Sequence, residues 1–189
     1  MNTFFTADLH LSHDAILKHC NRPWSIEEHN DALIARWNAI VSKRDTVYVL
    51  GDMMMVRAQP DGTPRMKIYR RLRHRLNGSI ILIKGNHDAG SSEYYDCFTK
   101  VYDFGAEVKI DGEKIVLCHY PMRSWNRSFH GSFHAFGHLH GRLEGVDTGV
   151  SCDVGVDVPE WDYKPVAWEV LRAKLLKKRE IWKNKYQKI

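Results

Sequence analysis

Ile80-Ile81-Leu82-Ile83-Lys84-Gly85-Asn86-His87-Asp88 joins an apolar run to a group of ligand-type side chains. Four consecutive aliphatic residues read as a central strand covered on both faces. Outward from there the arrangement recurs. Thr3 to Thr6 precedes Asp8-Leu9-His10, and Val47 to Leu50 precedes Gly51-Asp52. Ile115 to Cys118 precedes His119, and Phe133 to Phe136 precedes Gly137-His138-Leu139-His140. Strands that each end in Asp, Asn or His describe one rim, and such a rim is where an α/β protein places its chemistry. Hard oxygen and imidazole donors along it point to a two-metal site, and a two-metal site to hydrolysis of phosphate esters.

The segments between these strands set the fold class. A short helix is expected over roughly His13 to Cys20. Ser25 and Glu28 form a capping-box pattern, which starts a helix running to about Val41 with Leu33, Trp37 and Ile40 on its buried face. Gln59-Pro60-Asp61-Gly62 reads as a turn. Arg65 to Leu76 reads as a basic helix with Met66, Tyr69 and Leu72 inward. In the second half, Glu107 to Ile110 and Lys114 to Cys118 flank Asp111-Gly112, a strong hairpin signal. Cys152 to Val156 adds a strand. Pro165 to Lys185 reads as a strand end running into a helix, with Val170, Leu171, Leu175, Ile181 and Trp182 partly buried. Strand–helix alternation thus gives way to consecutive strands. The expected fold is α/β (α+β), a mixed β-sandwich with helices on its outer faces. One domain over residues 1–189 is expected, with a basic C-terminal helix at about 167–187.

Composition agrees with a globular chain. Its 189 residues are 43% hydrophobic and 27% charged, enough to bury a sizeable core. The N-terminus lacks a basic region followed by a long apolar run, and no apolar run approaches the ~20 residues that span a bilayer. Cys20, Cys97, Cys118 and Cys152 are scattered, so they read as reduced thiols of a cytoplasmic protein, with disulfides in a secreted protein as the alternative. No membrane contact is expected. The formal net charge of +5 favours anionic partners. Arg65 to Arg75 holds six basic residues and no acid, and Arg172 to Lys188 holds eight against Glu180 alone. Such runs read first as solvated helix faces and second as nucleic-acid contacts.

The spacing of the ligand-type residues has a chemical logic. Two cations ~3.5–4 Å apart share a ligand, and a carboxylate bridges best. Asp52 is the natural bridge, because Gly51 allows a tight turn at the strand end. In an extended chain residues i and i+2 face the same side, so Asp8 with His10, and His138 with His140, are expected to act as pairs. Gly85 and Gly137 leave room for the backbone to approach. Each motif alone is weak, and their joint order is specific.

The order D-x-H, G-D, G-N-H-D, H, G-H-x-H resembles the calcineurin-like metallophosphoesterase superfamily. Asp153-Val154-Gly155-Val156-Asp157, Tyr163-Lys164-Pro165-Val166 and His119-Tyr120-Pro121-Met122-Arg123-Ser124-Trp125 resemble its small single-domain bacterial and phage members. The resemblance implies two facing mixed sheets flanked by helices. It implies that Asp8, His10, Asp52 and His140 hold one ion, and Asp52, Asn86, His119 and His138 the other. His87 would contact the phosphate and protonate the leaving group, and Asp88 would orient His87. Met53-Met54-Met55 departs from the polar residues many members carry there, and is expected to soften the cleft wall.

Mechanistically, a bridging hydroxide is expected to attack phosphorus in line with the leaving oxygen. The donor set suits Mn²⁺ first, with Fe, Zn²⁺, Co²⁺, Ni²⁺ or Mg²⁺ as alternatives. Arg123 and Arg127 are candidate phosphate contacts, set against surface arginines on a loop. His13 reads as a helix-start residue, His134 as a core residue, and Cys118 as a buried thiol. Trp24, Trp125 and Trp161 read as core or lid residues before they read as base-stacking platforms. Asp153 and Asp157 read as structural, and Asp147 has no assigned role. The expected enzyme is a phosphodiesterase acting on nucleotide-type diesters, including cyclic ones. The alternatives are a nuclease using the basic helices near Arg70 and Lys177, a phosphomonoesterase, and a catalytically silent scaffold. The sequence assigns no oligomeric state.

Overall fold

The computed structural model describes residues 1–58, 60–88, 90–142 and 149–186. Gln59 of the expected turn, Asp147, Lys188 and the end of the expected C-terminal helix lie outside them. Five strands form one sheet in the order β4-β3-β2-β1-β9. These are β1 (Thr3–Thr6), β2 (Thr46–Leu50), β3 (Ser79–Ile83), β4 (Lys100–Tyr102) and β9 (Val166–Ala167). The first four are parallel, and β9 runs antiparallel to β1. A second sheet has the order β5-β6-β7-β8, from β5 (Gly105–Ile110), β6 (Glu113–Cys118), β7 (Phe133–Phe136) and β8 (Ser151–Asp153). The hairpin expected at Asp111-Gly112 joins β5 to β6, while β6, β7 and β8 are parallel.

Period-2 alternation divides the first sheet between two cores. Phe4, Val47, Val49, Ile80 and Leu82 face one, with Leu33 and Trp37 of α2 (Ile26–Asn38) and Ile68 and Leu72 of α3 (Arg65–Arg75). Phe5, Leu50 and Ile83 face the other, with Ile115, Leu117, Phe133 and Ala135 of the second sheet. That second core is the interior of the sandwich. Leu171 and Leu175 of α5 (Trp168–Tyr186) enter it, and α5 lies against β1, β8 and β9. No helix among the described residues is long and apolar enough to cross a membrane.

Local signals hold with specific adjustments. The Ser25–Glu28 capping box forms in both directions, at 3.1 and 3.3 Å. Ile40 is exposed rather than buried, because α2 ends at Asn38; Ile34 and Val41 fill that side. The strand expected at Cys152 to Val156 is confined to Ser151–Asp153. On α5, Val170 and Ile181 face solvent, and Leu171 and Leu175 carry the burial. All four cysteines are free thiols, with Cys118 and Cys152 buried.

Candidate metal centre

The parallel strands β1, β2 and β3 end together, and the residues just past them turn sharply. Asp8, His10, Asp52, His138 and His140 all have left-handed backbones, with φ of 60, 50, 54, 73 and 51°. This corrects the expectation of an extended chain at Asp8-Leu9-His10 and at His138 to His140. Asp8 and His10 still converge, by left-handed turns, a conformation that Asp and His adopt more readily than bulkier residues, whereas His138 turns to His119 and His140 to Asp157. Strain of this kind concentrates at functional sites.

Three glycines let the strand ends meet. Gly51 has φ +89°, and a Cβ there would lie 2.3 Å from His119 Nδ1. A Cβ on Gly85 would lie 2.2 Å from Asp52 Oδ1, and one on Gly137 would lie 2.6 Å from Asp8 Oδ2. His119 closes the seam between the sheets, donating from Nδ1 to the Leu50 carbonyl at 2.8 Å. That donation leaves Nε2 with its lone pair facing Asn86 Oδ1 at 3.0 Å, His138 Nδ1 at 3.2 Å and Asp52 Oδ2 at 3.6 Å.

Three groups of donor atoms lie within 4.8 Å of one another: Asp8 with His10 and His140, Asp8 with Asp52 and His119, and Cys20 with His140 and Asp157. Asp8 belongs to the first two, a feature the spacing did not indicate. The donors fit divalent cations. Asp8 Oδ1 and His10 Nε2 are buried yet make no hydrogen bond, and buried polar atoms of this kind are costly unless something binds them. Burial, then the charges of Asp153 and Asp52, push the Asp8 carboxyl well above its usual range. Burial, then the Arg22 charge, lowers His10 to about 2, so its ring is a neutral donor. Burial, then His119, lowers His138 as well. Crowded carboxylates beside neutral imidazoles are a cation site in charge and in softness.

His87 lies on the cleft side of this group. Its amide donates to Asp52 Oδ1 at 2.8 Å, its side chain is 38% exposed, and Nε2 lies 4.0 Å from Asp52 Oδ2. Asp88 does not orient it, contrary to expectation. The Asp88 carboxylate accepts from the amides of Asp52 (2.6 Å), Gly85 (2.9 Å) and Met53 (3.1 Å) and from Tyr94 Oη (3.1 Å). Successive side chains in a tight turn diverge, and this one turns inward to hold the loops carrying Asp52 and Asn86.

The cleft in front of the donors has a volume of about 710 Å³. It is lined by His10, His13, Asp52, Asn86, His87, His138 and His140, together with Ala15, Ile16, Lys18 and His19 of α1 (Ala15–His19). Lys18 is the one lysine or arginine lining it among the described residues. Arg123 and Arg127 are solvent-exposed and do not line it. Met53 and Met54 are core residues, 0% and 1% exposed, and not a cleft wall. Trp125 and Trp161 are buried and bonded to Ser132 and Asp153, and Trp24 packs on Tyr163. His134 is a core residue held by the Val116 carbonyl and the Met122 amide.

Sequence reasoning missed Arg22 and understated Asp157. Arg22 is buried and donates to Asp157, to the carbonyls of Asp8 and Leu9, and to His29. Asp157 Oδ2 accepts from His140 Nδ1 at 2.7 Å, which leaves His140 Nε2 free for a ligand. Burial alone would raise Asp157, but hydrogen bonds from His140 and Arg22 outweigh it and hold the carboxyl at about 2. No periodicity marks Arg22; Asp157 carried only the resemblance of Asp153-Val154-Gly155-Val156-Asp157 to the small single-domain members and a structural reading. Asp153 is structural as expected, accepting from the amides of Gly141 and Gly155.

Comparison with known proteins gives this geometry a lineage. The chain is 34% identical over 123 residues to the protein MJ1445 of Methanocaldococcus jannaschii, covering 65% of this chain and 60% of that one. It is 30% identical over 138 residues to the gene 66 protein of Mycobacterium phage D29, covering 64% of each. The chain therefore spans less than two thirds of the length of these relatives. Among solved structures, the protein AQ665 of Aquifex aeolicus, of unknown function, superimposes with a TM-score of 0.70 over 91% of this chain and 98% of that one, at 22% identity, and shares the fold. The sequence profile of the calcineurin-like phosphoesterases matches residues 1–147, a span that holds the whole donor group, and the chain belongs to that metal-dependent family of phosphate ester hydrolases.

Proposed function

We propose that the chain is a two-cation phosphodiesterase acting on small nucleotide-type diesters, cyclic ones included. The carrying observation is the pair of donor groups that share Asp8, with Asp8 Oδ1 and His10 Nε2 buried and without a hydrogen bond, His10 Nε2 lying 3.5 Å from Asp52 Oδ2. Asp8, His10, Asp52 and His140 would hold one cation, and Asp52, Asn86, His119 and His138 the other, with Mn²⁺ the best match to this donor set. Cations held there would polarise the phosphoryl group and make water a competent nucleophile near neutral pH.

The chain's own residues do the rest. His87 presents an exposed ring to the cleft, which supports a role in contacting a phosphoryl oxygen and protonating the departing one. Lys18, which lines the cleft, offsets phosphate charge, the part expected of Arg123. Ala15 gives the second arm of a diester an apolar contact, which a monoester would leave unused. Arg123 remains a candidate only if a substrate extends beyond the cleft.

The nuclease alternative draws less support. Much of the basic surface it would use is committed internally. Arg73 of α3 donates to three carbonyls, and Arg75 pairs with Asp31. On α5, Lys174 pairs with Glu160 and Arg179 with Glu113. Arg70 and Lys177 remain exposed.

The test is the initial rate on bis-p-nitrophenyl phosphate against p-nitrophenyl phosphate, using protein stripped of metal and reloaded with Mn²⁺. A metal-dependent rate on the diester supports the reading. A rate on the monoester alone moves the assignment to a phosphatase, and no rate on either, with metal bound, moves it toward a scaffold.

A further inference from the structure

The polar residues behind the donors fall into two hubs, whose turns are joined by backbone bonds from His10 N to Asp52 O at 2.9 Å and from Leu11 N to Met53 O at 3.0 Å. Arg22 spends all five of its N–H groups. Nε and Nη2 grip the Asp157 carboxylate at 2.8 and 2.7 Å, Nη2 also reaches the Asp8 carbonyl at 2.6 Å, and Nη1 reaches the Leu9 carbonyl at 2.7 Å and His29 Nε2 at 2.8 Å. The two carbonyls belong to the left-handed turn that aims Asp8 and His10. Asp157 in turn fixes the tautomer of His140. Every contact but the one to His29 leads to the group Asp8, His10, His140. Asp88 is the counterpart, gripping the amides of Asp52, Met53 and Gly85 and no part of the first turn.

We propose that Arg22 is a positioning residue for one half of the metal centre: it sets the affinity of the cation held by Asp8, His10 and His140 far more than that of the other cation, whose donor group shares only Asp8 with the first. This inference rests on the two-cation reading above. A guanidinium is needed because only a planar fork binds a carboxylate with two parallel bonds while its remaining donors reach two carbonyls. A lysine at this position would keep the charge and lose the geometry.

The experiment is calorimetric titration of metal-free protein with Mn²⁺, with unfolding followed in parallel. His138→Ala removes a donor of one half, and His10→Ala a donor of the other. In the His138→Ala background, Arg22→Lys should weaken the retained cation by the roughly 10–100-fold typical of residues that orient metal ligands. In the His10→Ala background the same change should leave the retained cation within about two-fold. Equal weakening in both backgrounds, or none in either, overturns the proposal. Asp157→Asn, which keeps the Arg22 bonds to the Asp8 and Leu9 carbonyls, should show the same asymmetry and serves if Arg22→Lys does not fold. Wild-type protein that takes up fewer than two cations overturns the two-cation reading instead.

Discussion

Asp88→Asn separates two accounts of the G-N-H-D motif. If Asp88 orients His87, as the sequence suggests, its loss alters proton transfer and little else. The structure instead gives it four donors: the amides of Asp52, Gly85 and Met53 and the hydroxyl of Tyr94. An asparagine has one accepting oxygen. If that oxygen keeps the Asp52 and Gly85 amides, the new NH2 faces Met53 and Tyr94. Tyr94 can rotate its proton away and accept, but the Met53 amide cannot, and it is left without an acceptor in a residue that is 0% exposed. An orphaned buried donor costs about 1–3 kcal/mol. The two retained bonds lose charge assistance, and this is offset in part by the end of charge burial, the main cause that raises the Asp88 carboxyl. The net expectation is about 1–3 kcal/mol, read from urea unfolding of the metal-free protein with an unchanged m-value. The pH–rate profile at saturating Mn²⁺ should keep its shape. A stability within about 0.5 kcal/mol of wild type, together with a shifted pH–rate profile, would refute this reasoning and restore Asp88 as the partner of His87.

Three further outcomes follow from the same site. His87→Ala should still take up two Mn²⁺, since its ring is in neither donor group, yet turn over roughly 10²–10⁴-fold more slowly; an unchanged kcat would remove His87 from the chemistry. Lys18→Ala should raise KM for the diester several-fold with kcat retained, as expected for a contact that binds substrate and transition state alike, and a fall in kcat alone would contradict that role. Asp8 supplies a pH test. Its folded pKa is raised, first by burial and then by Asp153 and Asp52, so the stability it contributes is complete below about pH 3.9 and is lost as pH rises through the folded value. Metal-free Asp8→Asn should therefore melt above metal-free wild type at pH 7, with the gap closing near pH 4 and reversing when Mn²⁺ is added; a variant that melts lower at pH 7 without metal contradicts the crowding of charge proposed here.

The strands were legible because burial on each face repeats every two residues, as Phe4 and Phe5 illustrate by entering different cores. The donor residues were legible because they follow those strands directly. What escaped was set by contacts distant in sequence. Arg22 meets Asp157 across 135 positions, and no local pattern encodes such a pairing. Met53 and Met54 looked like cleft residues because they follow Asp52, but the left-handed turn at Gly51-Asp52 rotates them into the core. Asp88 was given to His87 through the family resemblance, although its oxygens serve backbone amides up to 36 positions away.

The two hubs also explain how such a site can exist before any cation arrives. A left-handed conformation costs an L-residue roughly 1–2 kcal/mol. Asp8, His10, Asp52, His138 and His140 all adopt it. Against a typical net stability of about 5–15 kcal/mol, that strain would unwind an unsupported rim. Hydrogen bonds to the strained segments resist the unwinding locally. The Asp8 and Leu9 carbonyls are held by Arg22, the Asp52 and Met53 amides by Asp88, and the His138 amide by Asp8 Oδ2 at 2.8 Å. Those bonds use backbone atoms and the far oxygen of Asp8. The atoms that face a cation, Asp8 Oδ1 and His10 Nε2, are thereby left unbonded. A fold that satisfies the strained backbone and withholds partners from the donor tips has already met most of the ordering cost of metal binding, so the free energy of ligation can go into affinity rather than into folding the rim.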